Sequence, residues 1–272
     1  MRRLLAMLRA THLAPSVLVT AIATALAASA GRGVPGTAAV AGAVLAGQFS
    51  VGWANDWLDV GRDAALHRSE KPIVAGEVST AQVRSAALVA LATCAALSLA
   101  SGALAAVVHL VAVGFGWAYN LGFKRTALSV VPYAVAFGLL PVFVTLGLPG
   151  RPVPPWWAVT GGALLGAGAH FTNTLPDLTG DARTGVRGLP QRLGAKGSLV
   201  AGAVLLAAGA GVFLPRAAGG VVLFAGLAAV LGLTLAIVVT GWTGRDRLPW
   251  LLTLGIAGVA VAAFVASGGA LN

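Results

Sequence analysis

Two short acidic stretches hold most of the residue types in this chain that can do chemistry, Asn55-Asp56-Trp57-Leu58-Asp59-Val60-Gly61-Arg62-Asp63 and Asn173-Thr174-Leu175-Pro176-Asp177-Leu178-Thr179-Gly180-Asp181. In each, Asn, Asp and Asp recur at i, i+4 and i+8, a spacing that predicts one helix face with about 6 Å of rise between neighbours. Carboxylates held that close repel one another, and more so when partly buried. A divalent cation removes the repulsion, and hard carboxylate and amide oxygens point to Mg²⁺ rather than Zn²⁺. Mg²⁺ commonly takes one or two protein carboxylates and fills its shell with water and phosphate oxygens. Two such clusters would therefore hold a phosphate-bearing ligand between them. The plainer reading is two solvated helix ends whose Asp residues pair with Arg62, Arg183 and their neighbours.

The two stretches are related to each other. A shift of 118 positions carries Asn55 onto Asn173, Asp59 onto Asp177, Asp63 onto Asp181, Ala64 onto Ala182, Pro72 onto Pro190 and Gly76 onto Gly194. The pattern reads as a diverged internal repeat with a cluster at the same end of each half, and membrane proteins built from repeats place their sites at the repeat interface.

The surrounding composition says what must position these clusters. Of 272 residues, 58% are hydrophobic and 37 are Gly, with only 18 basic and 8 acidic residues. A soluble domain of this length carries on the order of 65 to 70 charges. That shortfall, with a mean hydropathy of +0.89, excludes an ordinary soluble globule, a disordered chain and a disulfide scaffold. The single cysteine, Cys94, lies in an apolar run and reads as a packing residue. Apolar stretches bounded by Pro, Gly or charge predict nine transmembrane helices, at about 13–30, 35–57, 81–100, 103–121, 127–147, 156–176, 197–214, 219–241 and 248–267. The repeat shift carries span 2 onto span 6, so the expected architecture is all-α, two four-helix repeats plus one helix in a single domain over 1–272. The run from Leu13 to Ala30 is long enough to be a retained first span rather than a cleaved signal.

Charge placement predicts the orientation. With the N-terminus cytoplasmic, 15 of the 18 basic residues fall on the cytoplasmic side and only Arg32, Arg151 and Arg216 on the other. This is the positive-inside pattern for an N-in, C-out protein of the cell membrane. All eight acids (Asp56, Asp59, Asp63, Glu70, Glu77, Asp177, Asp181 and Asp246) fall on the same side, so the expected chemistry faces the cytoplasm. The net charge of +10 then reads as a topology signal, not a nucleic-acid footprint.

At these residues the sequence resembles the UbiA superfamily of intramembrane prenyltransferases. That family carries an NDxxDxxxD motif after its second helix and a DxxxD motif after its sixth. Asn55, Asp56, Asp59 and Asp63 match the first motif, and Asp177 and Asp181 match the second. Lys71-Pro72-Ile73 is similar to the basic-Pro step after the first motif, and Tyr119 and Lys124 to the family's Tyr/Lys pair. Pro176 before Asp177 departs from the pattern and should kink span 6 or restart it.

The resemblance implies an enzyme that binds an isoprenyl diphosphate, ionises its allylic C–O bond, releases pyrophosphate and transfers the chain to an acceptor, an aromatic compound or a quinone precursor. Asn55, Asp56, Asp59, Asp63, Asp177 and Asp181 would hold Mg²⁺. Asp59, Asp63, Asp177 and Asp181 would be catalytic, and Asn55, Lys71, Tyr119, Lys124 and Asn173 would face the diphosphate. A terpene cyclase that needs no acceptor shares the same motifs and is the competing reading.

Loops 64–80 and 182–195 are too long and polar for plain connectors and are expected to cap the site. His109 and His170 lie inside predicted spans, where polar groups turn inward. Trp53, Trp117, Phe49, Phe115 and Phe171 are candidates for steadying a cation. Arg9 or a buried histidine is a candidate anchor for an acidic acceptor. A transporter fits poorly, because the outer half has no acids. A CDP-alcohol phosphotransferase fits poorly too, because its acids form one cluster rather than two.

Overall fold

A computed structural model describes residues 2–216, 220–242, 247–266 and 271. The described residues are helical: α1 Arg2–Arg9, α2 Leu13–Ser29, α3 Gly33–Leu58, α4 Val60–Ala65, α5 Thr80–Leu99, α6 Ala103–Leu121, α7 Val131–Leu146, α8 Trp156–Thr174, α9 Leu178–Arg183, α10 Leu189–Phe213, α11 Gly220–Trp242 and α12 Arg247–Ala266. Short 3₁₀ turns cover Phe123–Arg125, Leu175–Asp177 and Leu214–Arg216.

Each of the nine apolar stretches falls on one long helix. Five helices, α3, α5, α6, α10 and α11, are single elements long and apolar enough to cross a membrane. The segment Arg3–Arg9 and α2 make a sixth only if taken together across a 66° bend. The remaining three fall short of that measure for different reasons. α7 is a shorter apolar helix, as is the part of α12 over Leu251–Ala260, and α8 is diluted by Gly, Thr, His170 and Asn173. The expected cytoplasmic loop 242–247 lies mostly outside the described residues.

The long helices run in sequence order around a closed ring. α2 packs on α3, α3 on α5 and α6, α5 on α6, α6 on α7, α7 on α8, α8 on α10, and α10 on both α11 and α12, while α12 returns to α2. With lipid on the outside, the ring need not bury its apolar side chains outwardly, and Val34, Val89, Val221 and Phe224 are among many left exposed there. The core instead runs between helices, through Val40, Val44, Phe143, Val144, Leu199 and Leu206. Inside the ring is a cavity of about 790 Å³, walled by Leu26, Val44, Val113, Leu140, Leu165 and Phe213 among others.

The ends of the two halves that carry the acidic stretches are built alike. The short helices α4 and α9, Val60–Ala65 and Leu178–Arg183, are related by the same 118-residue shift as the acidic residues. Each acidic stretch is therefore broken, not one continuous helix. α3 ends one residue before α4, at Asp59, and α8 ends in the Leu175–Asp177 turn before α9. At the second break Pro176 sits at the start of the turn, where its missing N–H has no partner to lose. At the first, amide bonds Asp59 N to Asn55 O (2.9 Å) and Asp63 N to Asp59 O (2.8 Å) keep the pitch nearly helical through the break. The acids thus stay on one side although the helix does not run through.

Candidate functional site

The first motif splits. Asn55 and Asp59 line the mouth of the cavity, as do Asn173, Asp177 and Asp181 from the other half. Asp56 and Asp63 are just as buried, at 3% and 2% exposure, but neither lines the cavity. Asp56 turns toward the N-terminal segment, where its Oδ1 accepts from Lys71 Nζ at 2.5 Å and meets His12 Nε2 at 3.2 Å. Its Oδ2 is buried with no partner among the described residues. His12 holds a left-handed backbone (φ 54°) to start α2, an arrangement that apolar periodicity does not announce.

The two acidic clusters meet at the cavity mouth through arginine. Arg62 donates to Asp59 Oδ2 and Asp181 Oδ1, both at 2.8 Å. Arg68 bonds Asp177, and its other nitrogen reaches Asp63 Oδ1 at 3.4 Å. Lys124, 5% exposed in the Phe123–Arg125 turn, donates to Asp59 Oδ1 at 2.5 Å. Gln191 Nε2 donates to Asp181 Oδ2 at 2.7 Å. The pairing of Asp with Arg62 anticipated by the plainer reading is therefore present, and Arg68 extends it, whereas Arg183 makes no ion pair among the described residues.

Burial dominates the electrostatics. It raises the Asp63 carboxyl above its ordinary value despite Lys71, Arg62 and Arg68. It raises Asp181 likewise despite Arg62. Burial lowers the Lys124 ammonium, against the pull of Asp59. Burial also opposes the Arg68 charge, but Asp177 and Asp63 outweigh it and hold the guanidinium above its usual range.

No three His, Cys, Asp or Glu side chains among the described residues stand close enough to hold a metal as they are. The donor set nevertheless fits a hard dication. Asp59, Asp177, Asp181 and the Asn55 amide bring oxygen donors to one opening, and Asn55 already spends its amide N–H groups on Asn120 Oδ1 (3.1 Å) and Asp59 Oδ2 (3.4 Å). Its carbonyl oxygen has no partner among the described residues. The cations now on these carboxylates have long, mobile stems and can turn to another anion.

Two further predicted residues lie at the same opening. Tyr119 lines it and packs edge-on to Tyr133 at 5.2 Å. Asn173 donates to the Tyr133 hydroxyl at 3.4 Å, a bond between α8 and α7.

Several contributors escape sequence reading. Asn120 fixes Asn55 and donates to Val51 O at 2.9 Å; an amide at a helix end was its only signal. Tyr133 and Phe137 line the cavity and stack in parallel at 6.5 Å. The candidates for steadying a cation, Trp53, Trp117, Phe49, Phe115 and Phe171, are absent from the cavity wall; Trp53 donates to Met7 O and Trp117 to Ser50 Oγ. Arg9 is also elsewhere, bonded to Glu77.

Both expected cap segments reach the site. Arg68, Glu70 and Lys71 of the first line the cavity, and Ile73 and Val78 pack beside α1. In the second, α10 begins eight residues before the expected span and breaks at Gly194 (φ 69°, ψ 179°), so Gln191 belongs to a short cap helix ahead of the long one.

A family model described as the UbiA prenyltransferase family matches residues 16–268. Among solved structures, a UbiA homologue from Aeropyrum pernix K1 is similar at a TM-score of 0.72 and 19% identity, covering 90% of this chain and 96% of that one. A UbiA homologue from Archaeoglobus fulgidus bound to GPP and Mg²⁺ gives 0.64 and 21%, covering 98% and 99%. A digeranylgeranylglyceryl phosphate synthase gives 0.64 and 14%, covering 100% and 99%. No curated protein sequence matches.

Proposed function

The chain belongs to the UbiA prenyltransferase family, and from that premise we propose that it is a Mg²⁺-dependent intramembrane prenyltransferase acting on an isoprenyl diphosphate. The observation that carries this reading is the Arg62 bridge between Asp59 and Asp181 at the mouth of an apolar cavity. It brings repeat-related acids from both halves to one point where a diphosphate can sit while its hydrocarbon tail is buried.

In this reading Asn55, Asp56, Asp59, Asp63, Asp177 and Asp181 hold Mg²⁺, with Asp59, Asp177 and Asp181 nearest the ligand. Lewis-acid stabilisation of the departing diphosphate is what Mg²⁺ supplies when bound. With these carboxylates engaged by Mg²⁺, Arg62, Arg68, Lys71 and Lys124 would turn from them to phosphate oxygens, which keeps the buried charge balanced. Tyr119 and Tyr133 present ring faces to the allylic carbon as its C–O bond breaks. The cap segments 64–80 and 182–195 exclude water, which would otherwise quench the cation.

The nine long helices span the cell membrane N-in and C-out as one domain, with the mouth toward the cytoplasm. A neutral aromatic or quinone-precursor acceptor is favoured, because Arg9 is engaged by Glu77 and lies outside the cavity wall.

The test uses the purified protein in lipid with Mg²⁺ and prenyl diphosphates of several lengths. Pyrophosphate should be released, and products compared with and without aromatic acceptors separate transfer from cyclisation. Release unchanged in both Asp59→Ala and Asp177→Ala, or no release at any chain length, would overturn the proposal.

A further inference from the structure

Deeper in the cavity a second polar group faces the apolar wall. His109 is 2% exposed on α6 and stacks on Phe143 at 4.3 Å. Its Nδ1 lies 2.7 Å from Ser98 Oγ, while the Ser98 hydroxyl donates to Cys94 O at 2.6 Å. A hydroxyl has one proton. With that proton committed to the carbonyl, Ser98 Oγ can only accept from the ring, so Nδ1 carries the hydrogen and Nε2 presents a lone pair. Nε2 has no hydrogen-bond partner among the described residues, yet it is not among the sealed, unpaired polar atoms of the interior, and His109 lines the cavity. The lone pair therefore opens into the cavity.

A second polar group, on α3, lines the same cavity next to the point where α3 closes onto His109. A Cβ built on Gly47 would lie 3.8 Å from His109 Cε1, 3.2 Å from Cys94 Sγ and 2.9 Å from Val113 Cγ2, so glycine there lets α3 close onto this corner of the wall. The next residue, Gln48, also lines the cavity, and its amide makes no hydrogen bond among the described residues. Gln48 lies seven residues from Asn55 along α3, and His109 eleven from Asn120 along α6. At helical rise these put the pair about 10 to 16 Å below the mouth.

We infer that His109 and Gln48 form a neutral hydrogen-bonding subsite in the tunnel that takes an uncharged hydroxyl carried by an otherwise apolar ligand. The inference rests on the diphosphate reading of the mouth. A hydroxyl can donate to the Nε2 lone pair and accept from the Gln48 amide, which satisfies both. A charged group is excluded, because the ring's partners, Ser98, Cys94 and Phe143, are all neutral and would leave an ion unbalanced in an apolar wall. A plain hydrocarbon would leave both polar groups unpaired. The depth suits either the far end of an isoprenoid two or three units long, at roughly 5 Å per unit from ordinary C–C bond lengths, or a ring hydroxyl on an acceptor bound beside it.

The test is equilibrium binding to the full chain in lipid nanodiscs with Mg²⁺. The probes are farnesyl diphosphate, its ω-hydroxy analogue and a neutral alkylated hydroquinone, measured on wild type, His109→Phe and Gln48→Leu. The hydroxyl probe that reaches the subsite should lose roughly tenfold in affinity in either variant, the size of one buried hydrogen bond, while farnesyl diphosphate holds or gains. Loss confined to the ω-hydroxy analogue puts the hydroxyl on the isoprenoid, and loss confined to the hydroquinone puts it on the acceptor. Equal change for all three probes, or no change for either hydroxyl probe, overturns the subsite and leaves water as its occupant. If wild type fails to bind farnesyl diphosphate, the reading of the mouth falls, and the hydroquinone arm still decides the subsite. Gln48→Leu carries the test if His109→Phe does not fold.

Discussion

Asp59 and Asp177 hold the same backbone place in the two halves: each is the residue before a six-residue helix, at φ −93°, ψ 1° and φ −96°, ψ −9°. Their surroundings differ. Asp59 is sealed at 2% exposure between Lys124 and Arg62, while the Asp177 side chain is 46% exposed and, among the described residues, bonds only Arg68. The halves share a scaffold and differ in how firmly each carboxylate is held.

Position in the cavity wall ranks the acids. We expect Asp59→Asn and Asp177→Asn each to slow pyrophosphate release by roughly 10²-fold or more, as loss of one preorganised charge contact does. Asp56→Asn should cost less, because Asp56 is set back behind His12 and Lys71, which stand between it and the cavity wall. Steady-state release by the three variants checks the order, and equal losses would show that Asp56 turns inward when ligand binds.

Arg62 joins the halves only while no dication does. Removing it leaves Asp59 and Asp181 facing each other across a mostly buried gap, so Arg62→Ala should destabilise the metal-free protein by roughly 3 kcal/mol. Mg²⁺ should restore most of that loss in the variant and add less to wild type. Thermal unfolding with and without Mg²⁺ reads both, and a variant that Mg²⁺ does not rescue would mean the carboxylates do not share a cation.

Burial raises the Asp63 and Asp181 carboxyls, so protons compete for the site at higher pH than for ordinary acids near 4. The folded chain then holds protons that the unfolded chain has released. Metal-free stability should therefore rise as pH falls toward the unfolded value, while Mg²⁺ affinity falls over the same range. Mn²⁺ titrations at several pH values between about 7 and about 4 check the second sign, and affinity that stays flat until the ordinary carboxylate range would contradict it.

Gly76 and Gly194, the last pair matched by the repeat shift, both have positive φ, 71° and 69°. An added Cβ meets nothing within 4 Å at either site, so Gly→Ala there costs backbone strain alone, about 1 to 2 kcal/mol. The strained segment carries Lys71 in one half and Gln191 in the other. KM for the prenyl diphosphate should therefore rise along with the loss of thermal stability.

These glycines also mark what the sequence could convey. The repeat was legible because its matches are mostly residue types with fixed backbone jobs: Asp before a short helix, Gly at positive φ. The long helices were legible from apolar runs, but the breaks at Asp59 and Gly194 were not, since the first falls inside a spacing that also fits one continuous helix face and the second inside a polar segment read as a loop. The partners of the acids were the hardest to read. Arg62 and Arg68 looked no different from the basic residues that orient loops, and their roles depend on two halves meeting across a ring. Tyr133 and Phe137 sit in an apolar run like any packing residue, and only the direction of α7 turns them inward, while the tryptophans nearer the motifs spend their N–H groups on neighbouring helices.

The cations resting on Asp59, Asp177 and Asp181 make the two ligands of the mouth interdependent. Metal alone must displace Arg62, Arg68 and Lys124 and leave them without an anion, and diphosphate alone would draw them away and leave the carboxylates bare. Together each ligand supplies the partner that the other strands. Binding of the two should show positive heterotropic coupling, reciprocal in size, so a mouth without diphosphate should bind metal more weakly than one that holds it.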